Sequence, residues 1–380
     1  MSFRKIIGKL HLWLGLASGL IVVFLGITGC MLAFQKEIES LQSYRHVTAQ
    51  SNPFLPPSAM LDIAAVEVPG KHAHSVSYQG PGKAAQVSFY NFEPENYYYI
   101  VFIDPYSGEV LKVKDMNRDF FRVLVMGHFY LWLPPAIGQP IVASATLIFL
   151  VMMITGIFLW WPRNKAAARQ RFSIKWNARW KRKNYDLHNV LGFYMTWIAI
   201  FIAFTGLIWG FQWFAGSVYW LTSGGKKLNV FEETFSAKPV SGLKAGVPAE
   251  DLIWHNMKIE HPEAEIMELH YPTHDTASIE VAINPDAGTY WKADYRYFDR
   301  YTLKELPVTH LYGRFKDAGA AEKLMRMNYD IHVGQILGLP GKILAFFGSL
   351  IAASLPVTGF VIWWGRRRKS RYVRLQTQLV

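Results

Sequence analysis

The sequence has a single cysteine, Cys30, in 380 residues. One thiol excludes an internal disulfide, a Cys-rich zinc site, an iron–sulfur cluster held by this chain alone and a C-x-x-C-H haem attachment. No G-x-G-x-x-G follows a strand-like run, so no dinucleotide site is read. Charge is scarce: Asp, Glu, Lys and Arg make up 18% of the chain, against about 25% in ordinary soluble domains. It is missing altogether from Leu10–Gln35, Val123–Pro162, Leu187–Gly225 and Ile343–Gly365. Each stretch exceeds the roughly 20 residues that a membrane-spanning helix needs. These absences exclude a soluble enzyme. They predict an integral membrane α-helical protein with spans at 10–35, 137–161, 186–214 and 341–364. The first span is too long for a secretory signal and has no A-x-A-like site before Gln35-Lys36-Glu37, so it reads as uncleaved.

The charge that is present sits beside the spans. Residues 1–9, the loop 163–183 and the tail after Gly365 carry 18 basic and no acidic residues. The rest of the chain has 22 basic and 28 acidic residues. The net +12 is therefore a membrane-orientation signal and not a nucleic-acid one. It predicts that residues 1–9, the basic loop 162–185 and the tail 365–380 are cytoplasmic. Residues 36–120 and 215–325 then form extracytoplasmic domains, periplasmic in a Gram-negative host, with interfacial segments at 121–136 and 326–340. The inner stretch 167–183, with Trp176 and Trp180 four apart, reads as an amphipathic surface helix. Tryptophans near the span ends, among them Trp13, Trp132, Trp160, Trp161, Trp209, Trp213 and Trp364, read as interfacial belts.

A repeat organises the chain. Each span carries a Thr-Gly pair: Thr28-Gly29, Thr155-Gly156, Thr205-Gly206 and Thr358-Gly359. His11 precedes Thr28 by 17 residues and His188 precedes Thr205 by 17; Gly138 and Gly341 precede Thr155 and Thr358 by 17. Trp160-Trp161 before Arg163 matches Trp363-Trp364 before Arg366. The reading is a parallel tandem duplication of span, outer domain and span. In the outer segments, the aromatic run Asn96–Ile103 precedes the turn Asp104-Pro105-Tyr106-Ser107-Gly108, and Ala277–Ile283 precedes Asn284-Pro285-Asp286-Ala287-Gly288. Each segment thus predicts its own small α+β module. A helix is expected over Asp251–His261.

These residues carry a resemblance. His11-Leu12-Trp13-Leu14-Gly15-Leu16, the Thr-Gly spans, the Asp104–Glu109 hairpin, Thr358-Gly359 and Trp363-Trp364 resemble the PepSY-associated transmembrane family along essentially the whole chain. The resemblance implies a PepSY-like fold for both outer domains. It also implies kinship with integral membrane siderophore reductases that carry haem between four helices.

Of 12 histidines, His11 and His188 open spans 1 and 3 at the inner side. His128 and His332 precede spans 2 and 4 at the outer side. A lone histidine at a helix end is ordinarily an interfacial residue. Two symmetric pairs at membrane depth point instead to function. The twofold sets 11 opposite 188 and 128 opposite 332, and two facing imidazoles hold a haem iron from both axial sides. Zinc or copper would recruit further ligands, and besides the isolated Cys30 and Asp186 at a span edge no other His, Cys, Asp or Glu lies in the spans. Gly29, Gly156, Gly206 and Gly359 fall level with these pairs. They read either as clearance for a macrocycle or as ordinary small-residue helix packing; Gly15 and Gly19 read as packing alone. His72 and His74 make a weak metal signal, Pro272 argues against a helical pair of His270 and His274, and His310, Tyr312 and Arg314 before span 4 read as facing a substrate or, in preference, as a solvated loop.

The expectation is a di-haem b electron-transfer protein in the bacterial inner membrane. It would reduce a ferric siderophore outside, drawing electrons from a quinol or a cytoplasmic reductase. The competing expectations are a membrane-anchored regulatory PepSY protein without redox activity, and a transporter.

Overall fold

The computed structural model describes residues 2–92, 95–162, 164, 165, 168, 170–237 and 246–377, with side chains as far as 367. The chain divides into two compact units: Met1–Phe34 with Leu124–Ala215 and Ile331–Val380, and Gln35–Val123 with Gly216–Asp330.

Among the described residues, four helices are long and apolar enough to cross a membrane, at Phe3–Ser40, Pro135–Trp160, Trp180–Gly210 and Gln335–Arg367; all but the end of the first lie in the first unit. The first packs on the second and fourth, and the third packs on the same two, so the bundle closes into a ring. Its interior is small and soft: Met153, Met195, Ala199, Ala203 and Ala352 are buried together. Large apolar side chains such as Leu20 (84% exposed), Phe201 (62%) and Val357 (54%) point outward, as a helix bundle solvated by lipid requires. Gly26 sets the closest approach of the first and fourth helices: a Cβ there would lie 2.7 Å from the Ser349 carbonyl oxygen.

Two expectations at the basic-loop end of the bundle change. Among the described residues of 167–183, those from 170 to 179 are not helical, and the helix begins at Trp180; Ala167 itself, with Arg163, Ala166 and Arg169, lies outside the described residues. Trp160 is not a belt residue. It is 4% exposed and stacks on Phe193 with ring centres 3.9 Å apart. The backbone turns back there, and Arg171 donates to the Leu159 and Trp160 carbonyls at the helix end. Trp13, Trp132, Trp161, Trp213 and Trp364 are at least half exposed.

The second unit is built on one antiparallel sheet. Its strands are β1 Ser75–Tyr78, β2 Ala85–Asn91, β3 Tyr97–Ile103, β4 Val110–Asp115, β5 Ile266–His270, β6 Ile279–Asn284, β7 Asp294–Phe298 and β8 Glu305–Leu306. The order is β4-β3-β2-β1-β5-β6-β7-β8. The expectation of a separate module in each segment therefore gives way to a continuous sheet, joined where β1 pairs with β5 in the register Ser75↔His270. The two expected turns are present. Asp104 Oδ1 accepts from the Tyr106 and Ser107 amides and Gly108 takes φ 79°, while Asn284 Oδ1 accepts from the Asp286 amide. One sheet face is apolar (Val76, Val87, Val101, Leu269, Val281) and is covered by Met60 and Ala64 of helix Pro57–Glu67 and by Ile253, Trp254 and Met257 of helix Ala249–Glu260.

By strand alternation the other face is polar, with Ser75, Ser88, Tyr90, Glu268, His270 and Glu280. His74, just before β1, bonds the Tyr90 hydroxyl at 2.8 Å and sits 4.6 Å from His270, ring centre to ring centre; it does not pair with His72. Burial lowers both imidazoles to about 4, and His270 adds to the effect on His74. Burial, with Glu268 nearby, raises Glu280 to about 7. Between pH about 6.5 and 4 the unfolded chain takes up protons at both histidines that the folded unit refuses, so stability falls with acid. Glu280 acts in the opposite sense from pH about 4.5 to 7, but one carboxyl opposes two imidazoles. The thermal midpoint should therefore drop as pH falls from about 6.5 to 4, and His270→Gln should flatten that slope. A midpoint independent of pH in this window, or an unchanged slope in the variant, would refute the assignment.

Candidate functional site

All four singled-out histidines meet a Thr-Gly pair on a neighbouring helix. His11 Nδ1 lies 2.9 Å from Thr155 Oγ1, and His188 Nδ1 lies 3.0 Å from Thr358 Oγ1. His128 Nδ1 lies 2.7 Å from Thr28 Oγ1, and His332 Nδ1 lies 2.9 Å from Thr205 Oγ1. The glycine after each threonine faces the same ring. A Cβ on Gly156, Gly359, Gly29 or Gly206 would lie 3.4, 3.2, 3.7 or 3.5 Å from Cε1 of His11, His188, His128 or His332. The glycines thus pack against the imidazoles themselves, most tightly at Gly359, a contact that the sequence reading did not assign to them.

His128 and His332 come together, with ring centres 6.3 Å apart and planes at 73°. His128 rides on helix Phe120–Tyr130, and His332 ends the short helix Asn328–His332. Trp209 closes one side, edge-on to His332 at 5.2 Å. His11 and His188 both line a cavity of ≈ 430 Å³ inside the bundle, within the usual range for small-molecule sites. His188 sits in a turn of π-helix, Leu187–Leu191, and Asn189 Nδ2 donates to the Tyr185 carbonyl that this turn leaves open. The cavity walls are Gly8, Gly15, Gly19, Gly156, Gly192 and Gly359 with Met152, Met153, Phe193 and Trp363, and Arg366 stands among its few polar groups. Gly15 and Gly19 therefore do more than pack helices. His11 and Thr28 share one helix, so the 17 residues between them set the two pairs about 25 Å apart along it.

Two imidazoles bound in line to one metal, with metal–nitrogen bonds of about 2 Å, have ring centres roughly 6 Å apart. The spacing of His128 and His332 and the glycine-walled cavity beside His11 and His188 both leave room for a planar group between helices. Among the described residues no group of three or more His, Cys, Asp or Glu is placed to hold a bare metal ion. In the second unit, the expected solvated loop is instead a wall. His310 is 7% exposed, Arg314 pairs with Glu305, and both line a polar cavity of ≈ 530 Å³ with Arg326. That reading failed because nothing local in the sequence signals the strands that fold against this loop.

Four helices long and apolar enough to cross a membrane define a multi-span membrane protein, and the chain also carries a folded antiparallel-sheet unit. The chain belongs to the family described as the PepSY-associated TM region, whose model matches residues 9–366. A comparison with curated proteins finds no match.

Proposed function

We propose that the protein is a transmembrane di-haem b electron carrier that reduces a ferric siderophore, Fe(III) to Fe(II), on the outer side of a bacterial inner membrane. The observation that carries this reading is the placing of four histidines in two pairs at two levels of one bundle, each with Nδ1 bonded and, among the described residues, with no bond at Nε2. His11 and His188 would hold one haem iron, and His128 and His332 the other. Haem b, when bound, supplies a one-electron change at each level. The chain's own residues bind, orient and shield. The histidines present Nε2, glycines clear the approach, and the apolar walls keep water out. The two levels are separated by most of a bilayer core of about 30 Å.

The basic flanks support cytoplasmic termini and a cytoplasmic loop at 162–185, with the sheet unit outside. The mirrored strand order and the four matched His–Thr bonds support the reading of two tandem halves. The electron donor is then an outside molecule, a quinol or a cytoplasmic reductase. A purely regulatory PepSY protein or a transporter leaves the four His–Thr bonds without a purpose.

Siderophores grip Fe(III) through hard oxygen donors, and Fe(II) fits them less well, so adding one electron releases the iron and leaves the ligand intact. The test uses the full-length protein, loaded with haem and reduced by dithionite. A ferric hydroxamate should reoxidise it, with Fe(II) captured by a ferrous-specific chelator. In spheroplasts a membrane-impermeant ferric chelate should react from outside. Reoxidation without captured Fe(II) leaves an electron carrier and removes the siderophore role; a protein that takes up no haem removes both.

A further inference from the structure

Each threonine hydroxyl that meets a histidine also bonds its own helix. Thr28 Oγ1 is 2.9 Å from the Phe24 carbonyl oxygen, Thr205 Oγ1 is 2.7 Å from that of Phe201, Thr358 Oγ1 is 3.0 Å from that of Ser354 and Thr155 Oγ1 is 3.1 Å from that of Met152. A carbonyl only accepts, and a hydroxyl has one hydrogen to give. Once that hydrogen goes back to the helix, the hydroxyl oxygen can only accept from the histidine. Nδ1 must then carry the proton, and the lone pair is left at Nε2. His332 gives an independent sign of the same choice. Its Nδ1 is also 3.1 Å from the Ile202 carbonyl oxygen, which no bare ring nitrogen could bond.

The glycine adds a second constraint. With Nδ1 tied to the threonine and Cε1 packed over the glycine, 3.2–3.7 Å from where a Cβ would stand, two points of each ring are in contact with one neighbouring helix. Two fixed points leave the imidazole plane no free rotation.

We infer that each Thr-Gly pair is a lock on the tautomer and ring plane of one axial imidazole: Thr28-Gly29 for His128, Thr155-Gly156 for His11, Thr205-Gly206 for His332 and Thr358-Gly359 for His188. The inference rests on the haem reading above. The threonines are positioning residues that act through the histidines, as outer partners of metal-ligating imidazoles do. A neutral hydroxyl acceptor also keeps the imidazole neutral, whereas a carboxylate in its place would draw the Nδ1 proton and make the ring a stronger donor to iron. The lock holds the outer pair near perpendicular, at 73°. Axial imidazoles at right angles give ferric low-spin haem a highly anisotropic electron paramagnetic resonance signal, and parallel ones give a rhombic signal.

The test pairs two readouts on wild type, Thr28→Val, Thr205→Val and Thr28→Ser. In haem-free protein with ¹⁵N-labelled histidine, NMR should find His128 and His332 as the Nδ1–H tautomer. Thr28→Val should abolish that preference at His128 alone, and Thr28→Ser should restore it. In the haem-loaded protein the outer signal should be highly anisotropic. Either valine variant should move it toward the rhombic form and shift the outer midpoint potential, leaving the inner haem unchanged. Wild-type NMR, resonance and potential in both valine variants would overturn the lock. If wild type takes up no haem, the functional reading fails, and the NMR of the haem-free protein still decides the lock. A valine variant that folds but loses haem is decided by the same spectrum.

Discussion

Replacing His128 or His332 by alanine is expected to remove one of two haems from each chain and to leave the other in place. The rings of His128 and His332 stand 6.3 Å apart with their Nδ1 atoms tied to Thr28 and Thr205, so on the proposed reading each would supply one of two protein ligands to a haem iron. Without either ring the site keeps a single ligand. Disturbing even the outer partners of a ligand commonly costs roughly 10–100-fold in metal affinity, so losing the ligand should cost at least that. His11→Ala or His188→Ala should do the same at the inner cavity. The two levels are about 25 Å apart, and effects on them should be independent. Haem extracted and quantified per chain, with the remaining haem's spectrum, reads this directly. The outer variants should also lose reoxidation by the ferric chelate while their inner haem stays reducible. Unchanged haem content in all four variants would sink the assignment. Retention in one pair alone would pass that level's ligation to another histidine.

How far the sequence foretold this depended on the range of the signal. Charge-free runs are local, and they located all four membrane helices. The 17-residue spacings joined His11 to Thr28 and Gly138 to Thr155 within one helix. From them the repeat set 11 with 188 and 128 with 332; in the structure the rings of His128 and His332 stand 6.3 Å apart, and His11 and His188 line one cavity. The partner of each histidine was less legible. The Thr-Gly pairs were visible, but the threonine–histidine bonds run between helices across 100 to 170 residues. No spacing within one segment encodes them, so glycine was credited with clearing a macrocycle or packing helices, and its contact with the imidazole was not foreseen. The single sheet was hidden for the same reason: β1 and β5 pair across nearly the whole second unit, and each reads locally as an ordinary edge. Burial of Trp160 and His310 likewise came from segments that fold back onto them, which composition cannot show.

Gly138→Ala and Gly341→Ala should damage the outer site without touching either of its ligands. A Cβ on Gly138 would lie 2.0 Å from the Tyr130 carbonyl oxygen, and one on Gly341 would lie 2.0 Å from that of Gly334. These neighbours are backbone, so no side-chain rotation relieves the clash. Tyr130 ends the helix that carries His128, and the chain then turns through Leu131 and Trp132 at φ 55° and 57° before Pro134 and the second span. Both residues occupy the left-handed region, which is costly for side chains of that size, so the turn is already strained and has little slack. Gly334 follows His332 by two residues and also has a positive φ, 78°. In each half the glycine thus clamps the connection that aims an outer histidine at its threonine. Overpacking of this kind typically destabilises by about 1–3 kcal/mol. Part of the relief must come from moving the histidine-bearing turn, so the outer haem should be lost or loosened while the inner one stays. Gly365→Ala is the control: no heavy atom lies within 4 Å of its added Cβ, and alanine is the better helix former, so haem content and melting should stay as in wild type or improve slightly. Wild-type outer haem content and thermal midpoint in Gly138→Ala would show that the clamp does not position His128.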